Sequence, residues 1–342
     1  MVKRIFMVII ILIVFVALSQ FSASAEENQR GISIEPFGGI FYIIAPDVNF
    51  GGRYVPLSSI GDYLGGEHRE DGEAHGPIFG LTFGKRFKSP LSLGRNNRVE
   101  LSGFYSKAKS TSSSTIVPVS GSVTGFTQID ASNTFGGPDH TEVSIDSKAQ
   151  YYGFSLVLKG DHKVGLNWSV SPYIGPTLFF FEQDIDISAQ EFGGKRYPST
   201  SVSEDTETMY LGITGGADFT RQISDRVSLV ANAELSVVHA RSDFDGSQET
   251  YDWSTSELLA TARVSDSDEE VAVRGIGNIK FQFDIGFGTL SLGAGLHWLS
   301  YVPGVVNPRF NQLYTDNPDR PAHIEDESSL IIIGMAQVSI PF

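Results

Sequence analysis

The sequence predicts an all-β chain, an antiparallel transmembrane β-barrel of about 10 strands and at most 12. Three observations predict it. Segment after segment alternates apolar and polar residues with a period of two, the spacing of strands that present one face to an apolar medium. No long segment shows the 3.6-residue period of a helix. Beyond the N-terminal region no apolar run could span a bilayer as a helix, so any crossing would be made by strands closed on themselves.

Ten amphipathic segments carry the prediction, at residues 31–45, 76–87, 98–109, 148–160, 167–182, 206–220, 227–241, 271–286, 289–301 and 328–342. In the fourth, Tyr152, Phe154, Leu156 and Leu158 oppose Tyr151, Gly153, Ser155 and Lys159. In the seventh, Leu229, Ala231, Ala233, Leu235 and Val237 oppose Ser228, Asn232, Glu234 and Ser236. The eighth sets Ile279, Phe281, Phe283 and Ile285 against Lys280, Gln282 and Asp284, and the ninth sets Leu290, Leu292, Ala294, Leu296 and Trp298 against Ser291, Gly293, Gly295 and His297. Connections after odd-numbered segments are long, about 23 to 38 residues, and those after even-numbered segments are short, about 2 to 10. A β-sandwich has no reason to alternate in this way. Pro36, Pro172 and Pro176 fall inside segments, where each removes a ladder hydrogen bond. The stretch 115–123 alternates on its own, as an external hairpin or as an addition that brings the count to twelve.

The chain closes on Ala336, Val338, Ile340 and Phe342 along one strand face, with Met335, Gln337, Ser339 and Pro341 on the other. This tail resembles the C-terminal signal of Gram-negative outer-membrane proteins, in which a terminal aromatic sits in the interfacial girdle. The resemblance implies that Val338, Ile340 and Phe342 are an assembly signal read by the barrel-assembly machinery. It also implies outer-membrane lipid and lipopolysaccharide as surroundings, with long extracellular loops and short periplasmic turns. The overall layout is similar to that of the pore-forming major outer-membrane protein families. At the other end, Lys3 and Arg4 precede an apolar run from Ile5 to Leu18 and a small-residue site, Ala23-Ser24-Ala25. That pattern predicts a cleavable signal peptide over 1–25 and an outer-membrane barrel over 26–342.

Charge and composition narrow the function. The formal charge is −15, or −17 once Lys3 and Arg4 are removed, and a strongly acidic chain argues against nucleic-acid partners. There are no cysteines, which removes disulfide frameworks, thiolate metal sites and cysteine nucleophiles. The predicted loop 242–270 holds nine acidic residues, Asp243 and Glu270 among them, against Arg263. The short turns lean basic, with Lys88, Arg95, Lys163, Arg221 and Arg226.

Parity places Glu35, Arg86, Glu100, Lys159, Asp218, Glu234, Arg274, Lys280 and Asp284 on the inner face. Charges of both signs there fit either a lined aqueous path or ion pairs filling a narrow interior, since barrels of eight strands are filled and those of sixteen leave a channel. Aromatics near segment ends, among them Tyr105, Trp168, Phe179, Phe180, Phe181, Trp298 and Tyr301, suit interfacial girdles.

Enzyme signatures do not assemble. Ten strands match the architecture of omptin proteases, whose pattern pairs Asp-x-Asp with Asp-x-His. Asp184-Ile185-Asp186 supplies the first half, and no Asp-x-His occurs in the chain. Outer-membrane lipid hydrolases place His and Ser two apart on one strand face. Here His239 and Ser242, and His297 and Ser300, are three apart and fall on opposite faces. No metal or nucleotide motif is present. Asp266-Ser267-Asp268-Glu269-Glu270 and Glu325-Asp326-Glu327 offer hard oxygen atoms for a divalent cation but lack EF-hand spacing. The expectation is therefore a non-enzymatic barrel without a cofactor, a porin-like passive channel or structural barrel for small solutes. A surface-exposed adhesive or structural barrel acting through acidic loops is the alternative. An omptin-like protease or lipid hydrolase is disfavoured.

Overall fold

The computed structural model describes residues 31–54, 67–87, 97–117, 123–127, 129–130, 134–137, 139–192, 198–308 and 321–341. The proposed signal peptide and Phe342 lie outside the described residues. All regular structure is β: β1 Ile32–Tyr54, β2 Glu67–Phe87, β3 Asn97–Ile116, β4 Val123–Thr127, β5 Thr134–Gly137, β6 Thr141–Gly160, β7 His162–Lys163, β8 Trp168–Glu191, β9 Pro198–Ser224, β10 Val227–Asp252, β11 Glu257–Asp284, β12 Thr289–Val306 and β13 His323–Pro341.

Ten of these close a ring in the order β1-β2-β3-β6-β8-β9-β10-β11-β12-β13, and β13 returns antiparallel to β1, with Ile34 opposite Ile340 and Ile44 opposite Leu330. Each of the ten amphipathic segments lies in a different ring strand. The stretch after Ile116 does not enlarge the ring. β4 and β5 form a small hairpin attached to the far end of β1, and β7 is a two-residue bridge to β8.

The prolines are accommodated by losing rungs rather than by breaking strands. The β1–β13 ladder passes from Ile34 to Phe37 without pairing Pro36, and the β6–β8 ladder passes from Ser155–Thr177 to Leu158–Ile174 across Pro176. Both prolines remain paired on their other side, opposite Leu81 and Ile213. Pro172 is half-buried on the outer face of β8, opposite Ala217.

The outer face carries an apolar belt. Leu235, Ile279, Phe281, Leu292, Leu296 and Ile332 are among its exposed members, and on β10 it runs from Leu229 to Val237 before His239, Arg241 and Asp243 take over the same face. Nine residues is about what a tilted strand needs to cross a hydrocarbon core. The strands are much longer. β8, β9, β10 and β11 have 24, 27, 26 and 28 residues, so their upper halves project beyond the belt.

The acidic stretch 242–270 is therefore mostly not a loop. β10 and β11 pair from Val227–Phe283 to Asp252–Glu257, and only residues 253–256 turn. The turn is held by Asp252, which accepts from the amide and hydroxyl of Ser254 at 3.0 and 2.6 Å, with Ser256 in the left-handed region at φ 58°. At the opposite end the turn 285–288 uses Gly286 at φ +89°, a conformation open to glycine, and its amide donates to Asp284 Oδ1 at 2.8 Å.

A candidate functional site inside the barrel

Inward-facing side chains form three zones along the barrel axis. At the end where β1 begins and β13 ends, the interior is a polar cup of about 1030 Å³. All nine residues that parity places inside, Glu35, Arg86, Glu100, Lys159, Asp218, Glu234, Arg274, Lys280 and Asp284, line it. They arrive from seven strands because every second residue of each faces in.

Many of these charges meet one another. Lys159 Nζ reaches Glu100 at 3.4 Å and is bonded to Asp218. Asn232 Nδ2 donates to Asp218 at 2.7 Å and to the Tyr173 hydroxyl at 2.9 Å, and that hydroxyl donates to Glu234 at 2.9 Å. Glu234 accepts from Arg274 Nη2 at 2.7 Å. Across the cup, Gln337 donates to Glu35 at 2.6 Å and accepts from Lys280 at 3.2 Å. One network thus joins β3, β6, β8, β9, β10 and β11, and a second joins β1, β11 and β13. Asn278 Oδ1 stands where a Cβ on Gly295 of β12 would lie, so no side chain fits there.

Above the cup an apolar layer crosses the interior. Phe41, Ile43, Tyr151, Phe179, Phe181, Tyr210, Leu299 and Ile331 are each 0% exposed and belong to one contiguous cluster. Phe179 stacks on Tyr210 at 4.4 Å and meets Tyr151 edge-on at 5.8 Å. Arg274 lies under the layer with its guanidinium 4.5 Å from the Phe179 ring. His297 lies nearby, 6.5 Å from Tyr151, while His239 is on the outer face beside Glu269 at 3.9 Å.

Sequence reasoning missed this layer. Phe179, Phe181 and Tyr301 were assigned to a girdle and are interior. Phe179-Phe180-Phe181 cannot share a face, because alternation turns the outer two opposite to the middle one. Tyr105, Trp168 and Trp298, by contrast, are exposed at 44%, 47% and 45%. Tyr301 keeps the inward parity of His297 and Leu299, and a β-bulge then brings Val302 inside as well. β12 advances from Leu299 to Val302 while β13 advances only from Ser329 to Glu327. The extra residue shifts the parity so that Val302 joins Leu299 and Tyr301 in the interior, all three buried.

The third zone fills the projecting half. Val143, Ile145, Ile187, Val202 and Phe244 pack there with Ile129 and Ala322 from the connections. Ile129 donates its amide to Gln248, and Ala322 donates its amide to Ile129 O. Besides Asp252 in the β10–β11 turn, Glu191 and Glu204 are buried in this zone. Among the described residues neither oxygen of Glu191 has a hydrogen-bond partner, and burial pushes its pKa up to about 8. Burial raises Glu204 to about 7, against one opposing bond from Asn307 Nδ2 at 2.8 Å.

The remaining sequence candidates do not converge. Asp184 and Asp186 sit on the outside of β8, with Asp186 beside Lys148 and Ser203. Among the described residues no group of three or more His, Asp and Glu could hold a metal ion. Val338 and Ile340 lie on the outer face of β13, paired with Leu290 and Ile34.

A closed antiparallel ring, an apolar belt of one-crossing height and a charged interior together define the architecture. The chain is a closed antiparallel β-barrel. No family model matches it, and no curated protein matches it. Among solved structures it is similar to the outer membrane protease OmpT from Escherichia coli, at 13% identity and a TM-score of 0.48 over 91% of this chain and 97% of that one. It is also similar to the toluene transporter TodX of Pseudomonas putida, at 10% identity and a TM-score of 0.33 over 92% and 90% of the two chains. The translocator domain of the autotransporter NalP from Neisseria meningitidis gives 8% identity and a TM-score of 0.25 over 95% and 94%.

Proposed function

We propose that this chain is a closed, non-conducting barrel of the Gram-negative outer membrane that acts as a surface platform. The observation that carries this reading is the apolar layer, whose aromatic and aliphatic members are wholly excluded from solvent across the interior. Ions cross a hydrocarbon-like septum poorly. Below it Lys159 pairs with Glu100 and Asp218, and Arg274 with Glu234, so several of the inner charges serve the wall of the barrel. The layer supports the structural half of the sequence-based expectation over the passive-channel half. The projecting, acidic halves of β8 to β11 then become the working surface.

In this reading residues 1–25 direct export, and the last strand, ending on Val338, Ile340 and Phe342, engages the barrel-assembly machinery. Outer-membrane lipid covers the belt, and lipopolysaccharide surrounds the base of the projection. No catalytic role is assigned. Liposome swelling tests the proposal. Vesicles carrying the refolded protein should shrink and stay shrunken in a small neutral sugar, as protein-free vesicles do. Re-swelling at a rate that scales with protein content would contradict it.

A further inference from the structure

The bulge at Ser300–Tyr301 does more than turn Val302 inward. It turns the upper β12–β13 hairpin in over the interior, so the ladder between β11 and β12 stops at Arg274–Leu299. Among the described residues no strand pairs with β11 from Glu257 to Val273 on that side. In an antiparallel ladder alternate residues direct both backbone groups to the same neighbour. The amides of Ser267, Val271 and Val273 therefore point into the gap and are taken up by side chains: Asp266 at 2.9 Å, Glu270 at 3.1 Å and Ser300 at 2.8 Å. Thr261, Arg263, Ser265 and Glu269 share their alternation in an unbroken register with β10.

The gap is also acidic. Asp268 accepts from the Tyr301 hydroxyl at 3.0 Å, and Asp266 from the Ile324 amide at 3.0 Å. Asp326 faces Asp268 and Glu270, and burial followed by those two neighbouring charges raises its pKa. Carboxylates crowded beside this edge leave net negative charge there even where single oxygens accept a hydrogen bond.

We propose that the free edge of β11, Glu257–Val273, is a strand-addition site for an extended, basic segment of a partner protein, one that sets lysine or arginine at alternate positions against Asp266, Asp268 and Glu270. Main-chain bonds to the edge provide the affinity and the alternate basic side chains the selectivity. A second copy of this chain is a poor occupant, because joining two such edges sets their carboxylates against one another. The acidic side chains that now cap the edge amides guard it against indiscriminate pairing. The inference rests on the surface-platform reading and names the partner that such a surface takes.

The test uses the full refolded protein in detergent micelles and an eight-residue peptide alternating lysine and valine. Controls are the same peptide N-methylated at alternate backbone nitrogens and its glutamate–valine counterpart. The lysine peptide should bind and slow hydrogen exchange at Thr261, Arg263, Ser265 and Glu269. The N-methylated peptide should bind at least tenfold more weakly despite equal charge, and the glutamate peptide should not bind. Asp268→Asn with Glu270→Gln should weaken the lysine peptide about tenfold. Equal binding of the parent and N-methylated peptides, or protection elsewhere, would overturn strand addition, as would no binding at all. Vesicle swelling on the same preparation separates the two ideas. A leaky barrel sinks the platform reading, whereas a tight barrel that ignores the peptide sinks only this one.

Discussion

Arg274 shows how a charge is kept inside this barrel. Its side chain is 4% exposed, its Nη2 holds Glu234, and its flat face lies on Phe179. Removing one member of such a pair leaves the other buried and uncompensated, which costs about 3–5 kcal/mol. Arg274→Met should lower by that order the unfolding free energy that urea titration of the folded, heat-modifiable gel form yields. Arg274→Met with Glu234→Leu should recover most of the loss. Additive losses would mean that the two do not act as a pair. The outer face obeys a different rule. Phe281→Arg and Leu235→Arg place a charge in lipid at about 2–4 kcal/mol each and should prevent folding, whereas Gln282→Arg at the cup mouth should be tolerated. Equal damage at Phe281 and Gln282 would mean that the parity is wrong. Parity alone does not settle every inner position. Ser236 is inside, yet it is fully buried against Thr214 and Arg274, so an arginine has no room there.

At the level of strands, the buried carboxyls set a pH response. Glu204 and Glu191 are pushed up to about 7 and about 8 by burial in the projecting half, from an ordinary value of 4.5. The folded projection therefore holds protons that the unfolded chain releases. Its stability is greatest below about pH 4.5 and falls as pH rises towards 7 and 8, then levels off. For Glu204 the span is on the order of 3 kcal/mol. The absence of cysteine makes this measurable with a single thiol at buried Val202. Maleimide labelling of Val202→Cys, normalised to urea-unfolded protein, should rise between pH 5 and 8. With Glu204→Gln and Glu191→Gln it should stay flat, and an unchanged rise would show that other groups open the projection.

The strands themselves were legible in the sequence because period-two alternation is strong wherever one face meets lipid. Alternation was weaker above the belt, where both faces of β10 and β11 carry polar residues, and so 242–270 read as a loop although it is a paired hairpin. The bulge in β12 was not legible, because Leu299, Tyr301 and Val302 look like an ordinary strand end until the register with β13 is known.

For the molecule as a whole, ten strands enclose an open polar cup below two packed layers. The cup was legible residue by residue, because charged side chains in an otherwise apolar strand have only one face to occupy. The septum was not. Phe41, Tyr151, Phe179 and Tyr210 come from four strands, and their meeting depends on ring closure and strand register rather than on any local pattern. Whether that septum seals the barrel is the central claim, and conductance in planar lipid bilayers tests it most directly. The refolded protein should insert without producing current steps, and Phe179→Gly with Tyr210→Gly should produce them by opening the layer while leaving the outer belt untouched. Stable current steps from the unaltered protein, matched in size by the double variant, would contradict a closed barrel.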